Sequence, residues 1–237
     1  MNETRTRFSR RCIFLRSMTL LALLLASPAF GQPLPDVPGY TVEVYAEATG
    51  FYPVCLCFGA DGEMYAGWNN PASPPQAGPI RRVAPGGGPG SVAPYGPIVG
   101  DPDPVAYDAT GAISGTAGAV ITGGMNPTHL TAIRPDGSAQ VLWTSGFSNP
   151  TDIAFDGTGS MLFVDATAGG VFKTTGDTPP VRLFSASGVL THIVVGQDDN
   201  IYLDIGQGSQ GSAQVDIRGY DRNGTSFGDP VFSIPSN

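Results

Sequence analysis

Residues 149–175, with the sequence NPTDIAFDGTGSMLFVDATAGGVFKTT, decide the fold of this chain. They contain two short apolar segments joined by an Asp-Gly turn, and a third apolar segment follows a second glycine-containing turn. Short apolar runs bounded by turn residues are typical of strands, and Asp-Gly pairs are typical of tight hairpins. The stretch therefore predicts consecutive antiparallel strands joined by short turns.

Similar strings occur three more times in the chain. The four strings begin at Pro53, Asp103, Thr151 and Thr191. Their equivalent apolar or aromatic positions are Phe58, Tyr107, Phe155 and Val195, which lie 49, 48 and 40 residues apart. A propeller blade of four strands takes roughly 40–50 residues, and it buries both faces only when further blades stack beside it. The repeat therefore predicts an all-β fold, a β-propeller of four-stranded antiparallel blades, with four blades visible at about residues 53–98, 103–146, 150–187 and 190–236.

The N-terminal residues have the pattern of an export signal. Five arginines precede an apolar run at residues 18–29, and small residues precede Gln32. The run is shorter than the ~20 residues of a membrane-spanning helix. We therefore predict a signal peptide over residues 1–31, a propeller domain over residues 32–237, no membrane span, and a periplasmic or extracellular location. Sec and twin-arginine export both remain open.

Removing that signal leaves an acidic chain. The sequence contains 12 basic residues (Lys and Arg) and 20 acidic residues (Asp and Glu), and residues 1–31 hold 5 of the basic and 1 of the acidic residues. The remaining chain therefore has 7 basic and 19 acidic residues and a formal net charge of −12. Such a surface repels phosphate backbones, so nucleic acid is not a predicted partner.

Two cysteines, Cys55 and Cys57, also remain after the signal is removed. They would point to the same face of one strand, so we predict two reduced, buried thiols instead of a strained disulfide.

The repeat resembles a known group of propellers. Residues 149–175 resemble an NHL-type repeat, and residues 39–67, GYTVEVYAEATGFYPVCLCFGADGEMYAG, are similar to the start of secreted propellers related to gluconolactonases and sugar dehydrogenases. Such families usually have six blades, whereas only four are visible here. This difference leaves three possibilities: a four-bladed ring, an incomplete ring, or a chain that lacks its last blades. The last two are favoured, because six blades would need roughly 80–100 further residues. These families share blades and not chemistry.

The candidate site lies where a propeller gathers its loops. The loops that lead into the innermost strands, and those that join the second and third strands, should lie on one face around the axis. The candidate ligand-binding residues on that face are Asp103, Asp152, His192, Trp68, Asn69, Asn70 and His129; Asp165 and Asp204 end second strands near the same rim. Asp103 and Asp152 are the candidate metal ligands, since carboxylates suit Ca²⁺ and an added His favours Zn²⁺. The alternative is that these groups cap turns by binding local backbone amides.

The lactonase resemblance implies a metal-dependent hydrolase, in which Glu, Asn, Asn and Asp at strand starts bind the ion. The corresponding segments here read FYPV, PDPV, NPTD and VLTH. Thr151 stands where the family has one of its metal-binding Asn residues. Only Asp103, and Asp152 after a shift of one residue, have the same chemical type as the family's metal ligands.

The first hypothesis is therefore an exported binding or scaffold propeller that presents a polar face to a small molecule or a protein. The alternative is a lactonase or sugar-acid enzyme that uses calcium or zinc, with no catalytic residue assigned.

Overall fold

The computed structural model describes residues 44–46, 53–68, 77–88, 90–125, 127–207 and 214–234. Asn69, Asn70 and the predicted signal over residues 1–31 lie outside the described residues. Within the described ranges the regular structure consists of strands, and no helix there is long and apolar enough to cross a membrane.

Four antiparallel sheets account for the strands. Blade 1 contains β1 (Pro53–Phe58), β2 (Met64–Trp68), β3 (Gly78–Val83) and β4 (Val92–Val99). Blade 2 contains β5 (Val105–Asp108), β6 (Ala119–Met125), β7 (Thr128–Ile133) and β8 (Ala139–Trp143). Blade 3 contains β9 (Pro150–Phe155), β10 (Met161–Asp165), β11 (Gly170–Thr174) and β12 (Val181–Ser185). Blade 4 contains β13 (Val189–Val195), β14 (Ile201–Gln207), β15 (Gln214–Tyr220) and β16 (Phe232–Ile234).

Each sheet pairs its four strands in chain order, which is the topology of a propeller blade. The prediction of an all-β propeller with four visible blades, each of four antiparallel strands, is confirmed. That the ring is incomplete or lacks its last blades stays a prediction. The first strands of the blades, β1, β5, β9 and β13, are the innermost, because they contact one another between neighbouring blades.

The hairpin turns explain why the repeat contains Asp and Gly. Gly159 has φ +83° in the turn between β9 and β10, a conformation that an L side chain rarely adopts. At the same turn position in blade 4, Asp199 has φ +59°, and its backbone N–H donates to the carbonyl of Gly196. Asp and Asn tolerate this left-handed conformation better than most residues. The segment 196–200 is therefore a tight turn that uses Asp where blade 3 uses glycine.

Three apolar clusters fill three interfaces between blades. Blades 1 and 2 bury Cys55, Tyr65, Ile80, Tyr95, Val105, Val120 and Ile133. Blades 2 and 3 bury Ile121, Leu130, Phe147, Ile153, Met161, Phe163 and Phe172, among others. Blades 3 and 4 bury Leu162, Val164, Leu190, Ile193, Ile201, Leu203 and Ile205, among others. Each blade is thus stabilised by burial against its neighbour in sequence.

Cys55 and Cys57 take part in the first of these clusters. Both are free thiols on β1, with Cys55 buried and Cys57 partly buried against the cluster. The prediction of two reduced thiols that pack as small apolar side chains is confirmed for the described structure, but the prediction that both are buried holds for Cys55 only.

Candidate functional site at the channel face

The two predicted sets of loops lie side by side on one face, which we call the channel face. The backbone N–H of Trp68, at the end of β2, donates to the carbonyl of Pro102 in the loop before β5 at 2.9 Å. The Thr128 hydroxyl, at the start of β7, donates to the carbonyl of Ser148 in the loop before β9 at 2.8 Å. The loop that leads into each of these blades therefore rests on the preceding blade.

Two glycines make room for the loop before β5. A Cβ atom at Gly67 of β2 would overlap the carbonyl oxygens of Pro102 and Asp103. A Cβ atom at Gly124 of β6 would overlap the carbonyl oxygen of Asp101. Because both neighbours lack a side chain, the loop fits closely between blades 1 and 2, and it holds Asp101 and Asp103 in place.

Polar side chains from three blades meet near the propeller axis. Cys55, Asp152 and His192 occupy the same repeat position in blades 1, 3 and 4, three residues before the equivalent residues of the four strings. The Cys55 thiol lies 3.4 Å from Asp152 Oδ1 and 3.3 Å from the carbonyl oxygen of Thr151. The His192 ring binds Asp204 Oδ2 through Nδ1 at 3.2 Å and also contacts the backbone of Val54. We call Cys55, Asp152, His192 and Asp204 the axial layer.

Asp152 connects two neighbouring blades. Its Oδ1 accepts a hydrogen bond from the Ile153 N–H, and its Oδ2 accepts one from the Ile193 N–H, both at 2.9 Å. Burial is the largest influence on this carboxyl and raises its pKa, while His192 and the backbone donors act in the opposite direction. Asp152 thus binds backbone amides, as the capping alternative predicted, and one of those amides belongs to the next blade.

His192 and Asp204 form a partly exposed ion pair on blade 4. Their side chains are 39% and 26% exposed. The hydrogen bond to Asp204 is the largest influence on His192 and raises its pKa; burial opposes this rise, and Asp152 adds to it. The pair therefore favours a protonated imidazole on the channel face.

Asp103 has an unusual environment for a carboxyl group. The residue is partly exposed, yet its Oδ1 is buried and has no hydrogen-bond partner among the described residues. Burial, and to a lesser extent the nearby charge of Asp101, raise the pKa of Asp103 to about 7. Its protonation state therefore changes close to neutral pH.

Asp101 lies near both Asp103 and His129, and we call the three residues the Asp103 cluster. Burial raises the pKa of Asp101, and the nearby His129 opposes that rise. His129 Nδ1 lies 2.5 Å from the carbonyl oxygen of Pro127, so this nitrogen carries the proton. In the neutral ring Nε2 is then an acceptor, and it is buried without a partner among the described residues.

The two groups of polar residues are close to each other. Burial raises the pKa of the Cys55 thiol well above its usual value, and the charges of both Asp152 and Asp103 add to the rise. The structure thus brings Asp101 near both Asp103 and His129, brings Asp152 and His192 together, and places Cys55 near the carboxyls of Asp103 and Asp152. Trp68 differs from them, because it is buried and its Nε1 donates to the carbonyl of Pro79 at 3.0 Å.

The described residues do not assemble a metal centre. No group of three or more His, Cys, Asp or Glu among them is placed to hold a metal ion. Asp103 and Asp152 therefore lack a third described ligand, and the oxygens of Asp152 already accept backbone hydrogen bonds. Binding of calcium or zinc stays a prediction.

Cys55 and Asp101 were missed as members of the site by reasoning from sequence. Cys55 stands at the repeat position of Asp152 and His192, so the alignment of the four strings contained a signal for it. Asp101 carries no comparable signal. Its side chain enters the cluster because the loop before β5 is held between Gly67 and Gly124.

Comparisons with known proteins agree on the architecture. No family model and no curated protein sequence matches this chain. Among solved structures, virginiamycin B lyase from Staphylococcus aureus has 16% identity and a TM-score of 0.56, over 79% of this chain and 57% of that chain. A gluconolactonase from Xanthomonas campestris has 17% identity and a TM-score of 0.53, over 76% of this chain and 61% of that chain. The chain thus spans about three fifths of the length of these proteins. At such identities the likeness shows that this chain shares their β-propeller fold.

Proposed function

We propose that this protein is an exported β-propeller that binds a small polar ligand at the channel face. The observation that carries the proposal is the partly exposed Asp103 carboxyl, whose Oδ1 has no described partner and whose pKa is raised to about 7. Binding sites hold a few convergent polar groups with perturbed pKa values, and Asp103 lies near the axial layer in such a setting.

The chemistry of the face indicates the kind of ligand. Asp101, Asp103, Asp152 and Asp204 provide four carboxyl groups, whereas His129 and His192 provide two imidazoles. Asp103 Oδ1 and His129 Nε2 are buried, so a ligand on the channel face would meet the exposed part of the Asp103 carboxyl and the partly exposed Asp204, which accept hydrogen bonds when ionised. A ligand rich in hydrogen-bond donors, such as a neutral polyol or an ammonium compound, complements this set better than an anion does.

Ligand binding is expected to raise the melting temperature. A compound present at 100 times its Kd stabilises the native state by about 2.7 kcal/mol, which is roughly 5–10 °C for a domain of this size. The experiment screens sugars, sugar lactones, polyols and amines by thermal shift and measures the hits by calorimetry. Asp103→Asn should weaken binding at least about tenfold, the effect of losing one charge-assisted hydrogen bond. Asp136→Asn, in an exposed turn, is the matched control. The absence of any hit, or unchanged binding by Asp103→Asn, would contradict the proposal.

A hydrolase is the second candidate, because a carboxyl with a pKa near 7 suits general acid–base catalysis. The fold is shared with a protein described as a gluconolactonase, which makes sugar lactones the first substrates to test. Turnover of a lactone, lost in Asp103→Asn and retained in Asp136→Asn, would favour the hydrolase over the binding protein. Metal analysis of the purified protein, with assays before and after chelation, determines whether calcium or zinc takes part.

Export is supported by the arginine-rich start, the apolar run at residues 18–29 and the small residues before Gln32. When the full chain is expressed in a bacterial host, we expect the protein in the periplasm or medium, with its N-terminus at Gln32. Cytoplasmic protein that retains residues 1–31 would contradict export. Replacing Arg10 and Arg11 together by Lys separates the two export routes, because only the twin-arginine route should be lost.

A further inference from the structure

The basic residues of this chain are confined to the outer strands of the blades. After removal of residues 1–31 the chain has 7 basic residues, and each lies on a third or fourth strand or in the turn that follows a third strand. These residues are Arg81, Arg82, Arg134, Lys173, Arg182, Arg218 and Arg222. The sequences of the innermost strands and of the channel-face loops therefore contain no Lys or Arg.

These basic groups do little to neutralise the channel face. A third strand lies about 10 Å from the first, since neighbouring strands are about 4.8 Å apart. Exposed charges at that distance are largely screened at physiological ionic strength, where the Debye length is about 8 Å. Some of the basic groups are also engaged locally: Lys173 pairs with Asp156 at 2.8 Å, and Arg218 pairs with Asp216 at 3.2 Å.

The channel face itself is acidic. The Asp103 cluster and the axial layer together contain four carboxyl groups and two imidazoles. The His192 imidazole already pairs with Asp204 at 3.2 Å. The Asp103 cluster then has two carboxyls and one imidazole, and an added positive charge would favour the ionised form of both carboxyls.

His129 is a second, independent sign that this cluster lacks hydrogen-bond donors. Its side chain is 6% exposed, and its Nε2 is buried without a partner among the described residues. His129 pairs with Gly124 across β6 and β7, so its side chain extends from the face on which a Cβ of Gly124 would lie. That Cβ would overlap the carbonyl oxygen of Asp101, so the imidazole is directed toward the loop that holds both carboxyls. Asp103 Oδ1 and His129 Nε2 are thus two acceptors for which the described residues supply no donor.

We propose that the channel face selects a cationic ligand, an organic amine whose ammonium group binds the exposed part of the Asp103 carboxyl. This inference rests on the proposed function and narrows it. An ammonium group supplies both the positive charge and the donors that the Asp103 cluster lacks, whereas a neutral polyol supplies donors only. A site lined by charges of one sign also raises the local concentration of ligands of the opposite sign.

Binding of the amine is expected to release a proton. The Asp103 carboxyl, with a pKa of about 7, must be ionised to pair with an ammonium group, so its proton passes to the solvent. The titratable groups around it are Asp101 of the same loop, His129 of β7 beside Asp101, and Cys55 of β1, beyond which lies Asp152 of β9. Affinity should therefore rise with pH, by up to about tenfold per pH unit below that pKa.

Three compounds with one carbon skeleton test the preference for a cation. Glucamine, sorbitol and gluconate carry an ammonium, a hydroxyl and a carboxylate at the same carbon. In calorimetric titrations of the purified protein near neutral pH, glucamine should bind at least about tenfold more tightly than sorbitol, and gluconate should bind most weakly. Glucamine binding should also weaken as the pH falls to about 5.5, whereas sorbitol binding should change much less.

Two variants locate the preference. Asp103→Asn should bring the affinities for glucamine and sorbitol to within about threefold of each other, because the carboxylate that pairs with the ammonium group is gone. Asp136→Asn removes the same charge from an exposed turn after β7 and should keep the wild-type preference. The melting temperatures of both variants establish that they fold.

Each remaining outcome contradicts the inference, and the failures of the two proposals can be told apart. If sorbitol or gluconate binds as tightly as glucamine and Asp103→Asn abolishes that binding, the polar-ligand function stands and the preference for a cation is wrong. A Kd for glucamine above about 10 mM contradicts the preference as well. A preference for glucamine that persists in Asp103→Asn means that the ammonium group binds elsewhere. The proposed function itself fails only if the thermal-shift screen gives no hit or if Asp103→Asn leaves every hit unchanged.

Discussion

The wild-type protein is expected to lose stability as the pH rises from 5 to 8, and replacement of Asp103 by Asn is expected to remove much of that loss. The Asp103 carboxyl has a pKa of about 7 in the folded protein, raised from an ordinary value of 3.8 mainly by burial. The folded state therefore binds this proton more tightly than the unfolded state does. The free energy of unfolding consequently falls as the pH rises from the unfolded pKa through the folded pKa.

The size of the effect follows from the change in pKa. One pKa unit corresponds to about 1.4 kcal/mol, so a rise from 3.8 to about 7 sets an upper limit of roughly 4 kcal/mol. Measured between pH 5 and pH 8.5, only the part of this rise above pH 5 contributes, which is about two pKa units or roughly 3 kcal/mol, and because the side chain is partly exposed we expect about 1–3 kcal/mol. Urea unfolding at pH 5 and pH 8.5, for the wild type and for Asp103→Asn, measures it as the difference between the two pH dependences.

Other groups contribute in the same direction and are removed by this subtraction. His192 also has a raised pKa, so its stabilising contribution is present below its unfolded pKa and lost as the pH rises through its folded pKa. Asp136→Asn is the control, because hydrogen bonds from Ser138 lower the pKa of Asp136 and its titration falls below this pH range. If Asp103→Asn keeps the wild-type pH dependence, the Asp103 carboxyl is not protonated at neutral pH in the way that the structure indicates.

The architecture could be predicted from sequence because its determinants are local. Strand alternation and turn residues act over a few positions, and they recur at blade-sized intervals from Phe58 to Val195. The placement of Asp103 and His129 on the same face also follows from the blade pattern. The packing of blade 4 does not follow, because only the structure shows how much of Phe232 and its neighbours remains exposed.

The contacts within the site depend on packing between distant residues. The Cys55 thiol reaches the carboxyl of a residue 97 positions away, which no strand pattern predicts. Asp165 ends β10 as predicted, whereas Asp204 lies inside β14, which continues to Gln207, and the environments of the two carboxylates differ. Asp165 is fully buried and accepts hydrogen bonds from the N–H groups of Thr167 and Ala168, whereas Asp204 pairs with the partly exposed His192. The strand registers place Asp204 opposite His192 and Val164 opposite Asp152, so Asp204 matches Val164 and not Asp165, a difference of one position that puts the two carboxylates on opposite faces of their blades.

Phe163→Ala is expected to destabilise the protein by about 3–5 kcal/mol, the range for truncating a fully buried phenylalanine. Phe163 is 0% exposed in the cluster between blades 2 and 3, and its ring centroid lies 5.3 Å from that of Phe147 and 5.2 Å from that of Phe172. Truncation removes both ring contacts and leaves a cavity between two blades. Phe58→Ala, the same change at a side chain that is 45% exposed, should have a much smaller effect and is the control.

Denaturant unfolding of both variants also reports how the blades cooperate. Because each blade buries its faces only against its neighbours, a weakened interface between blades 2 and 3 can let the two halves of the propeller unfold separately. The slope of the unfolding free energy against denaturant would then fall for Phe163→Ala and stay constant for Phe58→Ala. Equal losses of stability in the two variants would contradict an interface centred on Phe163. A large loss with an unchanged slope would mean that all four blades unfold as one unit.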